Sequence, residues 1–503
     1  MGRVRDVGDR LGRYASTGWG KTESWVQGVL GGPARTRVIL VLACVLGLDT
    51  ADKGTLGAIA GQLEDQLHIS YTQVGLLATV VALIGLVVTL PIGMLTDRVN
   101  RTRLLSASIV CWAIAMVASA LAGSYTSLLL SRLFLGAVTA TAGPTVASLT
   151  GDFFSGSERG RIYGFILAGE LLGTGFGFAL AGDIGAAAGW RWAFGVLAAP
   201  ALVLAYVVWR LPEPARGGQS HLQPGAEHIY GAKEARHSEA PSQEKAGRAQ
   251  DVEGEPDSLA QRAAEQEHLR PARAMVRHAD PGRMPLREAV EYILRVPTNF
   301  ILIIASALGY FFFAGLRTFA VEYMRGHFGL GAAAASTLLV AIGFGAVVGV
   351  LIGGRLADWL VHIGWINGRI VVAAVAFLAT VALLLPGILI GSLLIALPLL
   401  VLGALALGAP NPPMDAARLD VIHHSLWGRA ESVRTILRLC ATAIAPLLFG
   451  VAADTIGLTA AFAVMLIPLG ASGVILFRAR RTYPRDVATA AASESATRAY
   501  PNR

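Results

Sequence analysis

The chain has 503 residues, 54% hydrophobic and only 15% charged, against about 25% charged in ordinary soluble proteins. That balance argues against a soluble enzyme, a secreted scaffold or a nucleic-acid binder. The net charge of +8 does not point to DNA either, because the basic residues sit in short clusters between apolar runs, as they do where charge sets membrane orientation.

Residues 1–37 are polar and basic, with no cleavable signal peptide, and are expected to form a cytoplasmic N-terminal segment. Six apolar runs follow within 38–210: roughly Val38–Ala60, Tyr71–Leu95, Leu104–Ala122, Ser124–Ala147, Ile162–Gly182 and Trp192–Trp209. Each is about long enough to cross a bilayer as a helix. Residues 211–296 are rich in Glu, Arg, Gln, Ala and Pro and read as a cytoplasmic linker, mostly disordered. Five histidines lie there (His221, His228, His237, His268, His278) and read as solvated rather than metal-binding. The linker ends in a stretch, 285–296, that places Leu286, Ala289, Val290, Ile293 and Leu294 on one face of an amphipathic helix at the membrane surface. Six more runs occupy 297–478: Phe300–Met324, Ala332–Leu356, Ile370–Ile390, Ser392–Pro412, Ala430–Ile456 and Leu458–Phe477. Residues 479–503 read as a cytoplasmic tail.

Cys44, Cys111 and Cys440 lie inside apolar runs, with no CxxC pattern, and read as small packing residues. Arg98, Arg101, Arg103, Arg159, Arg161, Arg355, Arg369 and Arg418 fall on the side of the linker, whereas the opposite loops hold only Arg191 and Arg325. This asymmetry predicts cytoplasmic termini. The halves also echo each other: Gly93-Met-Leu-Thr-Asp97-Arg98 after the second run matches Gly354-Arg-Leu-Ala-Asp358 after the eighth, and Glu158-Arg159-Gly-Arg161 matches Arg429-Ala-Glu431-Ser-Val-Arg434.

Gly93-x-Leu95-x-Asp97-Arg98-x-x-Arg101-x-Arg103 resembles the signature between the second and third helices of the major facilitator superfamily, with Asn100 in place of the usual Gly. The resemblance implies an all-α integral membrane protein of twelve transmembrane helices in two pseudo-symmetric six-helix bundles. It also implies secondary active transport by alternating access, with Gly93, Asp97, Arg98, Arg101 and Asp358 forming a cytoplasmic gate. Asp52-Lys53, Ser70, Gly75-Leu-Leu and Arg132-x-x-x-Gly136 resemble the spinster family, some members of which export lysophospholipids or sphingosine phosphates. Lys53 stands where that family has Arg, and Thr139 where it usually has Glu.

Charges at bilayer depth normally face a cavity or a partner. Asp49, Asp52 and Lys53 share one helical face, and Asp49 and Lys53 can neutralise each other. Asp52 is then the candidate titrating carboxylate, the alternative being a fixed salt bridge. By resemblance Arg132 tunes it; otherwise Arg132 bonds to backbone carbonyls. Glu170 lies beside the small-residue stripe Gly169, Gly173, Gly177 and Ala181, as a second proton carrier or as a packing residue. Tyr310 and Asn411 are the polar cavity candidates of the second half, Asp415 and Arg317 read as interfacial, and Phe311, Phe312 and Phe313 as lipid-facing or core rather than a substrate cage. The glycine runs at 173–177 and 343–349 follow no strand and are not nucleotide loops. The Gly470-Ala-Ser472-Gly473 sequence lacks a following His, and no Walker motif is present.

The expectation is a monomer in the cell membrane that is not an enzyme, needs no cofactor or metal and binds no nucleic acid. It moves a small-molecule or lipid substrate with protons. An amphipathic or lipid-like cargo comes first; a hydrophilic metabolite, such as an organic acid or sugar derivative, is the alternative, and a non-transporting receptor or scaffold is another.

Overall fold

The computed structural model describes residues 32–96, 98–154, 159–214, 270–272, 275–277, 281 and 284–499. Expectations placed on Asp97, on Glu158, on the five linker histidines and on most of 211–296 fall outside them. Regular structure among the described residues is helical: α1 Pro33–Ala58, α2 Ala60–Leu67, α3 Tyr71–Thr96, α4 Arg101–Ala120, α5 Tyr125–Thr139, α6 Ala142–Phe153, α7 Arg159–Ala188, α8 Trp190–Trp209, α9 Leu286–Arg295, α10 Pro297–Phe328, α11 Ala332–His362, α12 Gly368–Leu389, α13 Leu393–Gly408, α14 Asn411–Val421, α15 Trp427–Ile456 and α16 Leu458–Ala499.

Local chemistry explains the starts and stops. Pro33 and Pro297 occupy the first turns of α1 and α10, where no backbone N–H is needed. Asn100 accepts a hydrogen bond from the Arg103 amide at 2.9 Å and caps α4. Ser124 and Ser127 form a capping box on α5. The fourth and tenth spans were expected to be single helices, but both are broken. Pro144 has no N–H to give the carbonyl of Ala140, and α5 and α6 part there. Pro412 and Pro413 do the same between α13 and α14.

Among the described residues, ten helical spans are long and apolar enough to cross a membrane. Of the other two, α1 carries three charges within its apolar stretch, Asp49, Asp52 and Lys53, and α7 contributes the apolar segment Leu172–Ala188. The layout fits twelve spans. Large apolar side chains face outward, Leu394 84% and Leu121 78% exposed, which suits lipid and not water. Cys44 also faces outward rather than packing inside, and all three thiols are free.

Within the first half, α1 and α7 approach at backbone contact. A Cβ on Gly173 would fall 2.1 Å from the Gly47 carbonyl, and one on Gly177 2.2 Å from that of Ala51. In the second half α11 and α13 meet the same way through Gly349 and Leu405. Among the described residues the halves touch chiefly along three seams, all away from the linker: α3 with α15, where Gly75 lies under the Pro446 carbonyl and Gly450 under that of Tyr71; α1 and α2 with α10, where Gly57 lies under the Arg317 carbonyl and Gly61 under Glu322; and α7 with α11, where Gly182 lies under Ser336. Asp454 of α15 accepts from the backbone amides of Tyr71 and Thr72 at 3.0 and 2.9 Å, capping α3 from the other half. At the linker end, α6 and α14 pack chiefly within their own halves.

The last helix runs well past Phe477, where a free tail was expected. Tyr483, Val487 and Ser493 are buried. Ala272 and Arg277 give their backbone N–H groups to the Thr489 and Ser493 hydroxyls, and Asp486 accepts from the Thr298 amide at the start of α10.

Candidate functional site

The three charges of α1 separate. Asp49 and Lys53 pair with each other, half-buried, one helical turn apart. Asp52 turns the other way, into the first half, where its carboxylate accepts from Arg132 of α5 at 2.7 Å. Asp52 is 4% exposed and Arg132 fully buried. The Arg132 guanidinium also lies 4.2 Å from the ring centre of Phe194 on α8, an attraction that strengthens when desolvated. Its Nε and second terminal nitrogen have no hydrogen-bond partner among the described residues. A buried pair with unmet donors is held by little besides the partner's charge.

Glu170 sits on α7 opposite Asp49 and Lys53. Its backbone carbonyl accepts from the Thr50 and Thr174 hydroxyls at 2.8 and 3.0 Å, locking α7 to α1. Its half-buried carboxylate forms no ion pair among the described residues; its charged neighbours are Lys53, Asp49, Arg438 and Arg317. Arg317, expected at an interface, faces Asp49, Glu170 and Asp52 across the seam. Arg438 of α15 lies 4.6 Å from the ring centre of Tyr310. Tyr310 and Arg317 are two helical turns apart on α10, so two cations of the second half, about 10 Å apart along the axis, face carboxylates of the first. Arg317 and Arg438 escaped the sequence reading as site residues; their signal was a lone charge at depth in an apolar run.

The remaining candidates do not join this cluster. Thr139 gives its hydroxyl to the Gly136 carbonyl. Asn411 opens α14. Phe312 packs against Phe449 in the core, and Phe313 is exposed.

Of the gate candidates, Gly93 lies near the end of α3 and Arg98 is exposed after it. Arg101 is buried and, among the described residues, bonds to Asp152 of α6, Ser148, Glu213 at 2.8 Å and the Pro214 carbonyl, none of them in the second half. Asp358 accepts from Arg369 at 3.0 Å, and Arg369 also pairs with buried Asp420, which accepts from the Tyr483 hydroxyl. The two knots are symmetry mates: Arg101 and Asp152 are 51 residues apart, as are Arg369 and Asp420. That repeated spacing was the signal available in the sequence, and it was missed. In the second half Asp415 pairs with Arg434 at 2.5 Å and Glu431 with Arg434 at 2.8 Å, tying α14 to α15.

The chain resembles known proteins in keeping with this geometry. The family model of the Major Facilitator Superfamily matches residues 42–425. The chain is 25% identical over 179 residues to the "Probable L-galactonate transporter" of Escherichia coli K12, covering 35% of this chain and 40% of that one. It is 28% identical over 192 residues to human "Protein spinster homolog 1", covering 37% and 36%. It thus spans well under half the length of these relatives. The crystal structure of a bacterial homolog to human lysosomal transporter spinster, inward-facing and unoccupied, superposes with a TM-score of 0.67 at 20% identity, over 91% of this chain and 98% of that one. An occupied form gives 0.66 at 19%. With a family match over most of its length, two six-helix halves and charges gathered between them, this multi-pass membrane protein belongs to the Major Facilitator Superfamily of transporters.

Proposed function

We propose that the chain is a proton-coupled transporter working by alternating access, with Asp52 as its coupling carboxylate. The observation that carries this is the buried Asp52–Arg132 pair. A proton on Asp52 cancels its charge and leaves Arg132 buried with two unmet donors, a state that water or cargo must relieve. Protonation and rearrangement are thereby linked. Glu170, beside the tight α1–α7 contact, has the lesser part.

The cargo in this reading is amphipathic. Arg317 and Arg438, neither in a close ion pair among the described residues, suit a polar or acidic head, and Phe312, Leu316, Tyr323, Ile342, Leu384 and Phe462 line an apolar crevice in the second half that suits a chain. The polar centre equally supports the second reading, a hydrophilic organic acid or sugar derivative, in line with the galactonate relative. The basic linker end is cytoplasmic, and the protein sits as a monomer in the cell membrane. The far seams are then the closed side and the cavity opens inward. Gly93, Asp97, Arg98, Arg101 and Asp358 form a gate that engages when the linker end closes. Reconstituted protein offered radiolabelled lysophospholipids and galactonate, with and without a pH gradient, tests the reading. Gradient-stimulated uptake of either supports transport and chooses the cargo; no uptake or counterflow of any candidate favours a receptor or scaffold.

A further inference from the structure

Beyond the span Val38–Ala60 the chain turns at Ile59 and continues as α2, which carries Glu64 to the seam at the far end. Four elements of both halves meet there. Gly61 of α2 lies directly under the Glu322 and Arg325 side chains of α10; a Cβ on it would fall 1.8 Å from the Glu322 carboxylate. Tyr71 opens α3 and packs edge-on against Phe319 of α10 at 6.0 Å, with its hydroxyl near the Glu64 carboxylate. Asp454 of α15 caps α3 beside it.

The charges facing Glu64 are Asp65 on its own helix, Glu322 on α10 and Asp454 on α15. The nearby cation, Arg325, is already paired with Glu322 at 2.7 Å. His68, four residues on, is exposed. Two of the three neighbouring carboxylates belong to the opposite half, so an ionised Glu64 repels across the seam, and a neutral one does not.

We propose that Glu64 is a proton-operated latch at the far end: its neutral carboxyl lets the two halves stay closed there, and its ionisation drives them apart. This rests on the reading that the halves rock against each other, but it uses a proton site separate from Asp52. Burial first, and then Glu322, Asp65 and Asp454, raise the Glu64 carboxyl to about 7 in this closed arrangement. Opening admits water and returns it toward the ordinary range of about 4.3. The closed form therefore holds the proton more tightly. Closure is favoured at low pH and lost as pH rises through about 7.

Spin labels at Gly123→Cys and Gly391→Cys, in far-end loops of opposite halves with open space around them, report the seam in a cysteine-free background in nanodiscs. A second pair at Trp209→Cys and Ile363→Cys, both exposed, reports the linker end. As pH rises from 5.5 to 8.5, the far-end distance should lengthen with a midpoint near 7. Glu64→Gln should keep it short throughout. Glu322→Gln should lower the midpoint, and Tyr71→Phe, which removes a donor to the ionised form, should raise it. A wild-type response surviving in Glu64→Gln overturns the latch and leaves rocking intact. Distances unchanged at both ends under every condition overturn the latch and the rocking together.

Discussion

Replacing Asp52 by Asn keeps the size of the side chain and removes the one carboxylate that pairs with Arg132 among the described residues. The amide oxygen can still accept from the guanidinium, so a bond to a charged acceptor, about 1.5–3 kcal/mol, becomes one of about 0.5–1.5. The loss is on the order of 1–2 kcal/mol. Deleting the partner outright, as in Asp52→Ala, strands a buried cation and costs about 3–5 kcal/mol. The Asn variant should therefore fold, with a modest drop in thermal stability, and the Ala variant should fall further. Function should divide differently. A gradient of one pH unit is worth about 1.4 kcal/mol per proton, or a tenfold concentration ratio at one proton per cargo. Wild-type liposomes should approach that ratio, while Asp52→Asn should equilibrate cargo without accumulating it and still perform counterflow. Glu170→Gln should retain most accumulation. Full pH-driven accumulation in Asp52→Asn, with its loss in Glu170→Gln, refutes the assignment.

Gly173→Ala should lower the melting temperature or abolish monodisperse purification, because its methyl would enter the Gly47 backbone, whereas Gly175→Ala, which meets only a Val340 methyl at 3.8 Å, should behave as wild type. Arg369→Gln should destabilise by about 3–5 kcal/mol by stranding buried Asp420; Tyr483→Phe removes one bond to the same carboxylate and should cost about 1–3, an order that thermal unfolding in detergent can check. Deleting residues 220–268 should leave expression and elution profile unchanged, since that stretch has a disorder-like composition and the deletion keeps Ala272 and Arg277, which bond to α16.

The spans and the paired halves were legible because a bilayer leaves a backbone few other choices than the helix, so hydropathy alone marks the elements. Even α1, with three charges at depth, stood out through the apolar stretch before its carboxylates. Asp52 and Arg132 were legible as residues out of place at depth, and the resemblance brought them together. Helical spacing placed Asp49, Asp52 and Lys53 on one face but could not say that the face straddles two environments, with Asp52 toward Arg132 and Asp49 toward Arg317 of the other half. The breaks at Pro144 and at Pro412–Pro413 were written in the sequence and overridden by the apolar runs around them. The helix beyond Phe477 was hidden for a different reason. Its Ala, Ser and Thr composition reads as tail, and what it packs against, Thr298, Asp420 and the chain around Ala272 and Arg277, is distant in sequence.

The two ion-pair knots differ in when they can be completed. Arg101 finds Asp152 at the end of the fourth span and Glu213 just past the sixth, so that knot can close before any of the second half has been synthesised. Asp420 must wait for Tyr483, and the first turn of α10 for Asp486, both on the final helix. Since domains form in the order in which the ribosome delivers them, the second half spends most of its synthesis with the Asp420–Arg369 pair short of one hydrogen bond and a helix start still uncapped. A chaperone or insertase holding that half would have to remain until α16 arrives, and nonsense or frameshift lesions near residue 480 should resemble assembly defects more than the loss of a dispensable end.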